Sequence, residues 1–319
     1  MPSAYMPGWV GHWPASFPTT PCGRVAGCAP PASTIGNSTD PMELVHVAAA
    51  LLSAVLHAGW NAAVKARPNT TEAMATQMLV SAVIVLPGLL WTGLPPQQSW
   101  VWIAASTLMN VAAVSALLRA YELGGFGIVY PVMRAVSVLL VVPFSALVVG
   151  DRLGLAAIAG IVLIAASLGL LALGAGRDRS FPPRALGWTF LAGLASAAYV
   201  MCDAQGVRSA GSPWAYGCAV SITNAAAMCW RQRHLGSPWQ LLKANGVVAA
   251  PAAFAAVVSY LLILWVWTYA PVAPAAALRD TSAVFAILIS VLWLKERFTP
   301  ARMFAVLLAA AAVPLLRLT

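Results

Sequence analysis

The stretch Val132-Met-Arg-Ala-Val-Ser-Val138 has a second copy in the same chain, Ala277-Leu-Arg-Asp-Thr-Ser-Ala283. At a constant offset of 145 and without a gap, Arg134 aligns with Arg279. Further aligned pairs are Ser137 with Ser282, Ser145 with Ser290, Asp151 with Glu296, and Arg152 with Arg297. The chain is therefore organised around a duplicated apolar segment that carries an arginine and ends in an acid-arginine pair.

The composition indicates a membrane protein. Hydrophobic residues make up 61% of the 319 residues and charged residues only 8%, with a mean hydropathy of +0.81. Soluble domains carry about a quarter charged residues. The apolar runs are roughly 18–24 residues long, enough to cross about 30 Å of hydrocarbon as helices. We therefore predict an all-α, polytopic protein, with the net charge of +9 setting its orientation in the lipid bilayer rather than binding nucleic acid.

The chain divides into two units of five apolar runs. The runs lie near 43–64, 72–93, 100–120, 126–148, 154–174, 185–206, 213–230, 247–269, 272–294 and 301–318. We assign 42–174 to a first repeat, 175–184 to a linker and 185–319 to a second repeat. Residues 1–41 are rich in Pro, Gly, Ser and Thr, and we interpret them as a disordered leader or an upstream extension.

Five helices in each repeat require the two copies to enter the membrane in opposite orientations. One set of alternate loops holds twelve basic residues, Lys65, Arg67, Arg119, Arg177, Arg179, Arg184, Arg231, Arg233, Lys243, Lys295, Arg297 and Arg302. The opposite face has only Arg152, Arg208 and Arg317, with Arg24 in the leader. The positive-inside rule then predicts both termini outside. Inverted repeats of this kind are typical of many secondary transporters.

Several segments resemble one transporter family. The segments are Leu56-His-Ala-Gly-Trp-Asn-Ala-Ala-Val-Lys65, Tyr130-Pro-Val-Met-Arg134, Ala270-Pro-Val-Ala-Pro274 and Leu278-Arg-Asp-Thr-Ser282. They are similar to EamA-type members of the drug/metabolite transporter superfamily, and the resemblance extends from about residue 42 to residue 318.

The resemblance implies a ten-helix carrier in the inner membrane of a bacterium, a monomer or homodimer without a cofactor. It would export a small polar metabolite or drug-like compound by alternating access, driven by a proton gradient or by the gradient of the substrate itself. Two alternatives are an importer of the same substrate class and a non-transporting scaffold or sensor.

Polar residues on the first run predict one wall of a substrate cavity. Ser53, His57, Trp60 and Asn61 fall at helical spacing on a single face. The other interpretation is a contact between helices, in which His and Asn bind a neighbouring backbone. The second repeat has no counterpart of His57, Trp60 and Asn61, so the site should be asymmetric.

The arginines of the duplicated motif are the next cavity candidates. Tyr130 and Arg134 share a face of the fourth run, and Arg279 occupies the matching face of the ninth. Arginine presents a planar fork that suits a carboxylate or phosphate. Alternatively, the arginines bind freed carbonyls near Pro131 and Pro274, or extend to the membrane surface. Asn110 and Tyr199 complete the predicted cavity, with helix packing as the alternative for each.

Two acids within apolar runs are candidates for proton coupling. Asp280, beside Arg279, is the first choice and Asp203 the second, since ionisable residues within a membrane span are functional candidates by default. A salt bridge to an arginine of another helix would instead make such an acid structural. No HExxH, GxSxG or P-loop motif is present, so no enzyme is predicted. His46 and His57 are too far apart on one helix to hold one metal ion.

Two features are interpreted as marks of the membrane edge. Trp265, Trp267 and Tyr269 end the eighth run and are typical of an interfacial aromatic belt. The pairs Asp151-Arg152 and Glu296-Arg297 end their runs, and we interpret them as surface residues rather than gates.

Overall fold

The computed structural model describes residues 42–123, 126–149, 153–175 and 182–285, with short pieces between 288 and 315. Within these residues there is no strand. The α-helices in this part of the chain are α1 Leu44–Lys65, α2 Thr70–Thr92, α3 Trp100–Leu123, α4 Phe126–Phe144, α5 Leu155–Ala175, α6 Pro183–Ala210, α7 Pro213–Arg231, α8 Pro238–Tyr269 and α9 Val272–Asp280. The predicted all-α class is confirmed.

Several helices are suited to a membrane. In the described ranges, five segments are long and apolar enough to cross a bilayer: Leu44–Lys65, Thr70–Thr92, Gln97–Leu123, Pro183–Ala210 and Pro238–Tyr269. Val132–Leu147 and Leu155–Leu170 are shorter apolar segments. The predicted tenth run, 301–318, lies mostly outside the described residues, as do the leader and the two acid-arginine pairs.

Helix boundaries follow from local signals in the sequence. The Asn69 side chain caps α2 by accepting a hydrogen bond from the Glu72 backbone N–H at 3.1 Å. Ser237 and Gln240 form a reciprocal capping box at the start of α8. Gly211 has a φ of 69°, a left-handed conformation that glycine adopts without strain, and it ends α6 directly before α7.

The helix contacts come in pairs related by a pseudo-twofold axis. With α1 to α4 equivalent to α6 to α9, α3 packs against α6 as α8 packs against α1. Likewise, α4 contacts α6 as α9 contacts α1, and α3 contacts α7 as α8 contacts α2. The equivalent helices α2 and α7 pack against each other. This pattern is expected of two inverted repeats whose interface runs through the centre of the bundle.

The ninth run is not one continuous helix. α9 ends at Asp280, where the Thr281 backbone N–H and hydroxyl both donate to the Leu278 carbonyl, at 3.3 and 2.6 Å. Helix resumes at 282–285. Thr281 keeps right-handed helical angles, with a φ of −59° and a ψ of −9°, so the interruption is a single tightened turn next to Arg279 and Asp280.

The prediction of an interfacial aromatic belt at the end of α8 is wrong for Trp267. Trp267 is fully buried in the main hydrophobic core, while Tyr269 is 41% exposed. Trp265 is half-buried, and its ring lies 5.0 Å from that of His46 on α1. α8 is packed between helices at this level, so its aromatic residues do not all face lipid.

Candidate functional site

A central cavity lies between the two repeats and is lined by residues of eight helices. Its volume, counted as the space open to the centre of a water molecule, is about 150 Å³. This is room for several waters or one small solute. Eight residues predicted to line a cavity do line it: His57, Trp60, Asn61, Asn110, Tyr130, Arg134, Tyr199 and Arg279. The two candidate acids, Asp203 and Asp280, lie behind its walls.

The cavity is displaced towards the end of the bundle that carries the α1–α2 turn. Its lining includes Asn61, near the end of α1, and Met74, one turn into α2. Further from that turn, Ser53 and Ser259 join α1 to α8, because each hydroxyl donates to the other residue's carbonyl, at 2.7 and 2.8 Å. Ser53 was predicted to share the cavity face, but it forms a helix contact instead.

Both terminal nitrogens of Arg134 are engaged by the protein itself, while its Nε, like that of Arg279, has no hydrogen-bond partner among the described residues. Its Nη1 donates to Asp280 Oδ1 at 2.8 Å, and both side chains are 6% exposed. Its Nη2 contacts His57 Nε2, and its guanidinium lies 5.1 Å from the centre of the Tyr130 ring. The ion pair joins α4 of the first repeat to α9 of the second. The partner of Asp280 is therefore Arg134, rather than the adjacent Arg279.

Arg279 has a different environment, although it is the repeat equivalent of Arg134. It is 5% exposed and lines the cavity, but its Nε has no hydrogen-bond partner among the described residues. No described carboxylate lies within 4.0 Å of its guanidinium, whereas Asp280 lies 2.8 Å from that of Arg134. Arg279 is thus a buried cation that faces the cavity without a bound anion in this part of the protein.

Asp203 of α6 lies in a cluster of hydroxyl groups contributed by three other helices, α3, α7 and α8. Its carboxylate accepts hydrogen bonds from Ser106 at 2.5 Å, Tyr216 at 3.1 Å and Tyr260 at 2.8 Å. Asp203 is completely buried. The Tyr260 ring lines the cavity, so the cluster is one side chain away from it. Gly206 allows Tyr216 to approach Asp203, because a Cβ at position 206 would lie 2.3 Å from the Tyr216 ring.

The polar residues of α1 serve both the cavity and their own helix. Asn61 Nδ2 donates to the His57 carbonyl at 2.7 Å, and the Trp60 ring meets the His57 ring edge-on at 5.0 Å. Because an arginine N–H can only donate, His57 Nε2 must accept from Arg134, and the ring proton lies on Nδ1. His57 Nδ1 has no partner among the described residues. Asn61 thus bonds to a carbonyl of its own helix, and the contact from these residues to another helix is that of His57 with Arg134 on α4.

Other polar groups of the cavity are available to a ligand. The Oδ1 atoms of Asn110 and Asn224 are buried without a hydrogen-bond partner in the described structure. The Tyr130 hydroxyl lies 3.3 Å from Ser282 Oγ, a second contact between the two copies of the duplicated motif. A solute with hydrogen-bonding groups could satisfy the two amides.

Sequence reasoning missed several cavity residues. Tyr260 and Gln77 line the cavity, together with the sulphur-containing side chains of Met74, Met78 and Met133. Gln77 also lines a second cavity, next to the α1–α2 turn. A signal was present for Gln77, a large uncharged polar residue within the apolar second run. The methionines carry no comparable signal, since methionine is common in any apolar helix.

No metal centre is evident in the described residues, where no three His, Cys, Asp or Glu side chains gather closely enough to hold an ion. The free cysteines described, Cys202, Cys218 and Cys229, are at least half-buried and form no disulfide.

Comparisons with known proteins agree with this arrangement. A family model described as the EamA-like transporter family matches residues 44–173 and again residues 183–318. No curated protein matches the chain. A solved structure described only as "Crystal structure of protein" is similar in fold, with a TM-score of 0.64 and 17% sequence identity. That match covers 87% of this chain and 95% of the other. With both repeats matched, the chain belongs to the EamA-like transporter family.

Proposed function

We propose that this protein is a secondary active transporter that exports a small polar metabolite or drug-like compound from a bacterial cell. The observation that carries the proposal is the cavity formed jointly by the two repeats at their interface, whose largely apolar lining includes His57, Asn110 and Arg279. Transporters built from inverted repeats bind substrate at this interface and expose it alternately to the two sides. Membership of a transporter family supports the same activity, and export is the direction that the resemblance implies.

Contacts between the repeats support alternating access. Ser53 on α1 pairs with Ser259 on α8 on one side of the cavity. Near the α1–α2 turn, Asn245 on α8 donates to the Glu72 carboxylate on α2 at 2.7 Å. Each contact crosses from one repeat to the other and contains few hydrogen bonds. Opening of either side would break its hydrogen bonds at a cost of about 1 kcal/mol each, in addition to the cost of separating the helices that pack there.

We assign proton coupling to Asp203 in preference to Asp280. A hydroxyl can donate to a carboxylate and can also accept from a carboxylic acid, so the Asp203 cluster is compatible with both protonation states. The partner of Asp280 is an arginine, which can only donate and therefore favours the charged form. Tyr260 donates to Asp203 and also lines the cavity, so a single side chain links the protonation of Asp203 to substrate binding.

Transport can be tested with purified protein in proteoliposomes. We expect counterflow or gradient-driven uptake of at least one compound from a panel of amino acids, organic anions and phosphonates, above the level of empty liposomes. A matched variant, Arg184→Gln, removes an exposed charge far from the cavity and should transport normally. If the wild type moves no compound of the panel with or without an imposed pH gradient, the proposed function is wrong.

Coupling is tested by Asp203→Asn in the same liposomes. The amide keeps the size of the side chain but cannot exchange a proton. We expect loss of accumulation driven by a pH gradient, with substrate-for-substrate exchange retained. Glu122→Gln, at an exposed acid on α3, is the control for removing a carboxylate. Accumulation at the wild-type level by Asp203→Asn would exclude Asp203 as the coupling residue.

A further inference from the structure

We infer that the transported compound is an organic anion and that Arg279, not Arg134, binds its charged group. This inference rests on the proposed function, because it names the substrate class of the same cavity. It goes beyond that function in assigning different roles to two arginines that the repeat makes equivalent.

The first argument is the balance of charge around the cavity. Arg134 is neutralised by Asp280 at 2.8 Å. Asp203 accepts from three hydroxyls, and no cation of the described structure forms an ion pair with it within 4.0 Å. Arg279 interacts electrostatically with both acids but has neither as a direct partner. Among the described residues, Arg279 is therefore the cation of the cavity wall without an ion-pair partner, and Asp203, which lies behind the wall, is the acid without one.

The second argument is the hydrogen bonding of that charge. Burial of a charged group is unfavourable unless the group is paired and hydrogen-bonded. Arg279 is 5% exposed, and its Nε is buried without a partner among the described residues. Since the guanidinium borders the cavity, a ligand there can supply the missing acceptor. A carboxylate or phosphonate matches the planar fork with two parallel hydrogen bonds.

The third argument is that Arg134 cannot serve in the same way. Its Nη1 is occupied by Asp280, its Nη2 by His57, and its face by the Tyr130 ring. Its Nε also lacks a partner among the described residues, but both terminal nitrogens that would form the fork to an anion are taken. The cause is visible in the sequence, where Asp280 of the second copy aligns with Ala135 of the first. Asp280 thus neutralises the arginine of the other copy, and its own neighbour Arg279 has no ion-pair partner among the described residues.

The remaining lining indicates the body of the anion. Trp60, Tyr199, Met74 and Met133 contribute aromatic and flexible apolar surface around the polar groups. Such walls suit a hydrocarbon or aromatic body. The substrate class is thus a small organic anion with one charged head and an apolar body, and an inorganic ion would leave these walls without a contact.

The test compares anions with neutral compounds of the same shape. Binding of benzoate against benzamide, and of hexanoate against hexanamide, is measured by titration calorimetry on the full chain in detergent, with phenylphosphonate as a third anion. We expect at least one anion to bind about tenfold or more tightly than its amide. Arg279→Gln should weaken that anion about 10- to 100-fold, the range for hydrogen bonds to a charged group, and leave amide binding unchanged. Arg279→Lys should keep part of the affinity, and Arg184→Gln all of it.

A second measurement shows whether the variants fold. Arg279→Gln removes a buried charge without a partner, so its melting temperature without ligand should equal or exceed that of the wild type. Arg134→Gln should lower it, because Asp280 is left unpaired. A lowered melting temperature in Arg279→Gln equal to that in Arg134→Gln would show that Arg279 has a structural role and overturn the inference.

Counterflow of the same compounds separates this inference from the proposed function. If the wild type exchanges benzamide or hexanamide and no anion, transport stands and the anion assignment falls. If Arg279→Gln exchanges anions at the wild-type rate, Arg279 is not their binding residue. If the wild type exchanges no compound, charged or neutral, the proposed function fails and the inference with it.

Discussion

The buried ion pair between Arg134 and Asp280 allows a quantitative test of how the two repeats are held together. The perturbation is a double-mutant cycle with Arg134→Gln, Asp280→Asn and the combined variant. Both substitutions keep approximate size and hydrogen-bonding ability while removing charge. Since the pair joins α4 to α9, the cycle measures an interaction between the repeats rather than within one of them.

The expected magnitude follows from the burial of the pair. Both side chains are 6% exposed, so solvent screens their interaction little. Removal of one partner leaves the other charge buried and unpaired, which costs about 3–5 kcal/mol of stability. Removal of both leaves no unpaired charge. The double variant should therefore be more stable than the sum of the single effects implies, with a coupling energy of about 2 kcal/mol or more.

The assay is reversible unfolding in mixed detergent micelles, followed by tryptophan fluorescence at increasing fractions of denaturing detergent. The control cycle uses Arg119 and Glu122, whose N–O distance of 2.7 Å is similar but whose side chains are 62% and 55% exposed. Its coupling energy should be about 0.5 kcal/mol or less. Equal coupling in the two cycles, or additive effects at Arg134 and Asp280, would refute the interpretation of a buried stabilising pair.

Two further predictions concern packing and topology. Gly206→Ala should lower the free energy of unfolding by about 1–3 kcal/mol, because its methyl group would overlap the Tyr216 ring. Gly59→Ala should not, because no atom lies within 4 Å of the added methyl group. Thermal unfolding of the two variants decides this. The predicted orientation places the 66–69 turn inside the cell and the 93–97 turn outside. An impermeant thiol reagent should therefore label a single cysteine in the 66–69 turn only after cell lysis, and one in the 93–97 turn in intact cells. The reverse pattern would contradict the predicted orientation.

The sequence was sufficient for the faces of single helices and for the repeat. Helical spacing placed His57, Trp60 and Asn61 on one wall, and the offset of 145 placed Arg134 and Arg279 in equivalent positions. All of these residues line the cavity. Their role in binding substrate stays a prediction.

The partners of charged groups could not be predicted in this way. Asp280 lies beside Arg279 in sequence, but neighbours on a helix point about 100° apart, and its actual partner is 146 residues away. Ser53 is a similar case, since its contact with Ser259 on α8 depends on how closely two distant helices approach. Such pairings are properties of tertiary packing, and helical periodicity contains no information about them.

The central claim, that substrate passes through the cavity between the repeats, is tested most directly by blocking that cavity covalently. In a functional variant without native cysteines, Val114→Cys places a thiol on the cavity wall of α3, and Leu108→Cys places one on the 65% exposed face of the same helix. After reaction with a bulky methanethiosulfonate reagent, we expect transport in proteoliposomes to stop in Val114→Cys and to continue in Leu108→Cys. Undiminished transport by fully labelled Val114→Cys would contradict the account.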